Sequence, residues 1–170
     1  MPWIENIPLE NVATGQHHDC GVNSMLIQIL DHDMAFPTPR HDFKEVHQFT
    51  FLDIEEDGMT NTGDGRSIDL SKFAITDEQA AKLVQLLQHA WEHCMNVVVH
   101  CHAGVCRSGA VCEVGVAMGF DDCERFRAPN LLVKHKMMRV LGWTYDNEEK
   151  SYDVHGTTNE WGFITPNNNF

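Results

Sequence analysis

The chain reads as an α/β protein, with a central, mostly parallel sheet of about four to five strands flanked by helices on both faces. Two observations lead there. Runs suited to strands, Ser24–Leu30, Val46–Leu52 and Asn96–Val99, alternate with stretches of helical periodicity, and such alternation implies parallel strands covered by helices. The last run also passes through a tight, glycine-bearing turn into a helix of small residues. In open α/β sheets that join lies at the carboxyl end of a central strand, where ligands bind.

Taken in order, residues 1–23 are polar, carry Pro2 and Pro8, and are expected to be an irregular N-terminal segment. Their cluster His17-His18-Asp19-Cys20 offers half a metal site. No second Cys/His pair follows at zinc-like spacing, so neither metal nor cofactor is expected. Ser24–Leu30 reads as a buried strand, and Phe36-Pro37-Thr38-Pro39 then enforces a loop. Val46–Leu52 alternates apolar and polar residues as a second strand, ending just before Asp53. Residues 53–75 read as a long acidic loop. Asp53, Glu55, Asp57, Gly58 and Asp64 approach calcium-loop spacing but end on Asp where Glu is needed, with a strand in place of the entering helix.

Thr76 and Gln79 form a capping box that starts a helix, whose stripe is Ala80, Leu83, Val84, Leu87, Trp91 and Cys94. His89 and His93 fall away from that stripe as a solvated pair. After the third strand, Ser108–Met118 is apolar nearly all round and belongs in the middle of the fold, with Glu113 needing a partner. Gly119–Asp122 breaks the chain, Cys123–Phe126 is expected to be a short helix, and Arg127-Ala128-Pro129-Asn130 opens another that runs through Leu141. In this helix Val133, Met137, Val140 and Leu141 should face inward. The segment 142–170 reads as a docked aromatic tail carrying Trp143, Tyr145, Tyr152, Trp161 and Phe163.

A length of 170 residues suits one domain over 1–170. A net charge of −13 argues against nucleic-acid or anionic-membrane partners. No signal-like or membrane-length run is present, and the six cysteines fall on strand, loop and helix elements. Reduced thiols in a cytoplasmic protein are expected. The oligomeric state is not legible.

The chemistry concentrates in Asn96–Ala110, NVVVHCHAGVCRSGA. Strand, tight loop and helix N-terminus make an anion cradle, because backbone N–H groups and the helix dipole favour negative charge. The same field favours an anionic sulfur at Cys101. Arg107 adds a planar fork matched to two oxygens of a phosphate-like group. A nucleophile and an oxyanion clamp thus share one loop, and an acidic body with one locally positive pocket suits a single phosphomonoester.

The five fixed residues within nine, His100-Cys101-x-x-Gly104-x-x-Arg107-Ser108, resemble the phosphate loop of the cysteine-dependent protein tyrosine and dual-specificity phosphatases. The segment Arg127-Ala128-Pro129-Asn130 is similar to one that dual-specificity phosphatases carry after that loop. The resemblance implies phosphomonoester hydrolysis through a cysteinyl-phosphate on Cys101. The oxygens would be held by Arg107 and by loop N–H groups of His102, Ala103, Gly104, Val105, Cys106 and Arg107. Ser108 would bond the sulfur, and His100 would orient the loop without acting as a base. It also implies an Asp on a loop after an earlier strand as general acid. Asp53, directly at a strand end, ranks first; Asp69, spaced as in shorter members, second; Asp57 third. The loop lacks the lysines of phosphoinositide phosphatases and the pattern of RNA triphosphatases, which points to a phosphorylated protein or peptide. A catalytically weak phosphate-recognition module and a phosphatase of non-protein phosphomonoesters are the alternatives. Cys106 and Cys112 read as small buried thiols, a reversible disulfide with Cys101 being the other reading.

Overall fold

The computed structural model describes residues 1–145, 157–158 and 163–165. At its centre are five strands: β1 (Trp3–Pro8), β2 (Ser24–Leu30), β3 (Glu45–Thr50), and two contributed later in the chain. A short helix, α1 (Leu9–Thr14), follows β1 directly. A small hairpin of β4 (Met59–Asn61) and β5 (Ser67–Asp69) precedes α2 (Asp77–Glu92), β6 (Asn96–Cys101), α3 (Arg107–Met118), β7 (Asp121–Asp122) and α4 (Leu131–Val140). The sheet order is β3-β2-β6-β1-β7, and every pairing is parallel. The α/β architecture expected from the sequence is therefore present, with no antiparallel strand in the central sheet.

Burial explains which residues occupy the middle. Every residue of β2 is buried, and Val97, Val98 and Val99 of β6 have no exposed surface. Such doubly covered strands read as continuous apolar runs, and each buried valine contributes roughly 1.5–3 kcal/mol. One face packs Met25, Ile27, Ile29, Val97, Val99 and Cys101 into the core shared with α2, α3 and α4. The other packs Ile7, Leu26 and Val98 with Val12 of α1, Cys20 and Phe43.

Local signals hold where they are strongest. Thr76 and Gln79 exchange both capping-box hydrogen bonds, at 3.0 and 2.9 Å. Glu113, buried on α3, finds Lys134 Nζ at 2.7 Å and Arg127 Nε at 3.7 Å. Val133 and Met137 face inward, whereas Val140 is exposed. His89 is not merely solvated, since its Nε2 lies 2.8 Å from Glu45 Oε2. Cys94 leaves the buried stripe: it follows α2 in the left-handed region at φ 54° and is exposed.

Three expectations are corrected. Residues 1–23 are not irregular; they supply β1 and α1. Buried Glu5 and Asn6 interrupt the apolar pattern of β1: Glu5 Oε1 accepts from His18 N–H at 3.2 Å, and Asn6 Nδ2 donates to Gly104 O at 2.7 Å and to Phe126 O at 3.1 Å. Residues 53–75 hold the β4–β5 hairpin and a 3₁₀ turn, Leu70–Lys72, closed by local polar bonds that leave no apolar periodicity. Cys123–Phe126 is not a helix. Asp122 draws the chain into a turn, its Oδ1 accepting from Glu124 N at 2.7 Å while its carboxylate pairs with Arg127. Just before that turn, within Gly119–Asp122, Asp121 and Asp122 pair with Trp3 and Ile4 as the edge strand β7.

Beyond α4, β8 (Thr144–Tyr145), β9 (Thr157–Thr158) and β10 (Phe163–Thr165) form a separate antiparallel sheet in the order β8-β10-β9. Trp143 is buried, as a docked tail requires, but Tyr152 and Trp161 lie outside the described residues. No helix among the described residues is long and apolar enough to cross a membrane.

Candidate active site

Parallel pairing brings the carboxyl ends of β1, β2, β3 and β6 to one edge, and the residues that follow each strand meet there. From β6 comes the loop Cys101–Cys106, from β2 Asp31, and from β3 the stretch Phe51–Asp53. Three segments clamp the loop. Leu9 N–H donates to His102 O at 3.1 Å, Ala128 N–H to Val105 O at 3.2 Å, and Asn130 N–H to Cys106 O at 3.0 Å. Gly104 sits at φ 74°, and a Cβ there would stand 2.3 Å from Ile7 C and Pro8 N. Both its conformation and its approach to β1 demand glycine.

Cys101 is only 2% exposed. Its Sγ accepts from Gly104 N–H at 3.3 Å and lies 3.2 Å from Ser108 Oγ. The sulfur thus meets one backbone N–H donor and one hydroxyl placed to exchange a hydrogen bond with it. Arg107, 4% exposed, opens α3 and points back across the sheet edge. Its Nη1 donates to Asp31 Oδ1 at 2.6 Å and to Phe51 O at 2.8 Å, while buried Nε has no hydrogen-bond partner among the described residues. The clamp is anchored through one nitrogen, with another facing no acceptor.

His100 has no exposed surface, and its Nδ1 lies 3.2 Å from Cys101 O. Burial lowers its pKa to about 4, helped by the neighbouring Arg107 charge. A neutral imidazole tied to its own strand fits an orienting role. Of the remaining loop residues, His102 and Ala103 are exposed, and Val105 and Cys106 half-buried.

The three aspartates separate clearly. Asp53 Oδ1 accepts from Asn130 Nδ2 at 2.7 Å, and Asn130 also donates to Ile54 O at 3.1 Å. Asp53 and Cys106 line the same hollow with Glu55 and Leu70. The Cys106 thiol is pushed up by burial first, then by the Asp53 carboxylate beside it. Asp69 instead caps the 3₁₀ turn, its Oδ1 accepting from Ser71 N at 3.0 Å and Ser71 Oγ at 2.6 Å, and these bonds lower its pKa. Asp57 pairs with Lys136 Nζ at 2.9 Å, which lowers it likewise. Of the three, Asp53 is the one joined through Asn130 to the Cys101–Cys106 loop.

Two participants were not read from the sequence. Asp31 carries no motif; its one signal is its position immediately after a buried strand. Asn130 belongs to the Arg127–Asn130 segment, yet its double duty, capping α4 through Val133 N–H and holding Asp53, shows only in three dimensions. All six cysteines are free thiols. Cys112 points to Ile4 O at 3.7 Å, and burial pushes its thiol up to about 12, which suits a packing role. No protein-family model and no curated protein sequence matches this chain.

Proposed function

We propose that this protein is a cysteine-dependent phosphomonoester hydrolase of the protein tyrosine and dual-specificity phosphatase kind, acting in the cytoplasm on a phosphorylated protein or peptide. The observation that carries the reading is the buried Cys101 sulfur, held by Gly104 N–H and beside the Ser108 hydroxyl, in a loop closed by Arg107.

Cys101 Sγ, as the thiolate, attacks phosphorus and forms the S–P bond while the P–O bond to the leaving group breaks. Arg107 and the loop N–H groups hold the equatorial oxygens as charge shifts between them. Asp53 gives its proton to the departing oxygen. In the second step the same carboxylate takes a proton from water, whose oxygen attacks phosphorus and releases the sulfur. The Ser108 hydroxyl then donates to the leaving thiolate. His100 stays neutral and takes no proton from any of these atoms. The absence of lysine from positions 102–106 favours a phosphoprotein over a polyanionic lipid headgroup.

The test is hydrolysis of an aryl phosphate by the full chain, with and without Cys101→Ser. Loss of turnover on the order of 10⁵-fold is expected, by analogy with removal of other covalent nucleophiles. Activity that survives the substitution overturns the reading.

A further inference from the structure

On the α1 face of the sheet, away from Cys101, three potential ligands from three distant segments meet. Glu5 projects from β1, His18 from the α1–β2 connection, and Cys123 from the turn after β7. Their ligand atoms all lie within 4.8 Å of one another. Zinc bond lengths separate the ligands of a tetrahedral ion by roughly 3.3–3.8 Å, so Glu5 Oε2 and His18 Nδ1, which now touch, would part to admit one while Cys123 stays within reach. We propose that Glu5, His18 and Cys123 bind one borderline-soft divalent cation of the zinc type, with a fourth position left to water.

The donor set selects that class of ion. A thiolate, an imidazole and a carboxylate together suit zinc, whereas calcium and magnesium take oxygen alone. Glu5 is the strongest part of the case. It is a carboxylate with no exposed surface on an interior strand, and such a charge is retained only against good compensation.

Its two oxygens have different surroundings. Oε1 accepts His18 N–H at 3.2 Å and faces Arg125 Nε at 3.7 Å, while Oε2 meets His18 Nδ1. The Oε1 contacts would fix the carboxylate plane from outside the coordination sphere, the arrangement that orients ligands in built metal sites. Oε2 and Nδ1 are then the ligating atoms. Trp3 packs beside the His18 ring at 5.8 Å, and a hollow lined by Asn11, Gln16, His17, His18 and Arg125 offers a way in. The Cys123 thiol gives up its proton on binding.

The sequence offered His17-His18-Asp19-Cys20 as half a metal site but not its other half, because the partners of His18 lie 13 residues before it and 105 after it (18 − 5 and 123 − 18). The ion would tie β1 to the two connections that flank it. It is a structural site and supplies nothing to the reaction at Cys101.

The test is a titration of the chelator-treated full chain with Co²⁺, followed by thiolate-to-cobalt charge-transfer absorption. One equivalent should saturate that absorption in the unmodified protein and in Cys20→Ser, and Cys123→Ser should abolish it. His18→Gln should weaken Co²⁺ binding at least tenfold. Aryl-phosphate turnover by Cys123→Ser, a residue outside the catalytic loop, serves as the check on folding. Absence of saturable thiolate absorption in the parent, or its survival in Cys123→Ser, overturns the proposal.

Discussion

The Cys101–Cys106 loop and the Asp53-bearing segment after β3 lie at the same sheet edge but are held in opposite ways. The loop is fastened by backbone hydrogen bonds from Leu9, Ala128 and Asn130, and by glycine packing against β1. Residues 54–72 are largely exposed and held mostly by short-range polar bonds, with side ties to α4 and its N-cap from Ile54, Glu55 and Asp57. Asp53 sits at the junction, attached to the rigid side by one amide, Asn130 Nδ2. The difference separates two demands of the proposed chemistry. A nucleophile and its oxyanion donors gain from being fixed before substrate arrives. A proton donor must fit leaving groups of different shape, and a single tether leaves it that freedom.

The contrast can be broken at several points. Asp53→Asn should lower turnover of esters with poor leaving groups by roughly 10²–10⁴-fold, the range for general acid catalysis, and leave aryl phosphates with good leaving groups almost unchanged. The two substrates assayed side by side give the answer; equal loss on both would move the acid elsewhere. Glu113→Gln strikes the rigid side instead. It leaves Lys134 and Arg127 facing a neutral amide behind the loop, and a broken buried pair costs about 3–5 kcal/mol. Urea unfolding should show the loss, with the leaving-group preference unaltered.

Asn130→Ala cuts the tether and the cap of α4 together. Substrates with poor leaving groups should be hydrolysed roughly tenfold more slowly, less than for Asp53→Asn because the acid is still present. Loss of the cap adds about 1 kcal/mol of destabilisation.

The last prediction concerns pH. In the unfolded chain the His100 imidazole takes a proton near 6.5, but in the folded chain only near about 4. The unfolded state therefore binds more protons between these values, and stability falls as pH drops through that window. Between pH 7 and pH 5 the contribution of this one group is about 2 kcal/mol. His100→Asn should remove that slope in urea titrations at the two pH values. The lowered carboxylates, Glu45, Asp57, Asp64, Asp69 and Asp122, act mainly below this range, since their ordinary values are 4.5 for Glu and 3.8 for Asp.

What could be read from the sequence follows the same division. Strands β2, β3 and β6, the Thr76 cap, and the strand–loop–helix join at Cys101 are governed by local pattern, so they were legible. The first strand was not, because Glu5 and Asn6 put polar groups where alternation predicts apolar ones, and their partners, His18 and Arg125 for the one and Gly104 and Phe126 for the other, lie outside the strand. The β4–β5 hairpin buries too little to leave a periodic trace. Asp31 shows only its place after a buried strand, and Asn130 only its place in the Arg127–Asn130 segment; neither signal gives the contact it makes. Each acquires its role from parallel pairing that sets unrelated segments beside one loop. Asp53 lies three residues past the end of β3, near the strand end where the sequence put it, while Asp69 and Asp57 are held by Ser71 and Lys136.

The pairing of β1 with β6 has a kinetic consequence. Ile4 pairs with Val97 at a sequence separation of 93 (97 − 4), and Gly104 reaches its cramped position only once β1 is beside it. Contacts this distant in sequence form slowly, since loop-closure entropy must be spent before they return anything. The middle of the sheet can assemble from β2, β3 and β6 while the phosphate loop still lacks its wall. During refolding, secondary structure should therefore recover before phosphate-ester turnover, which waits for the N-terminal strand to arrive.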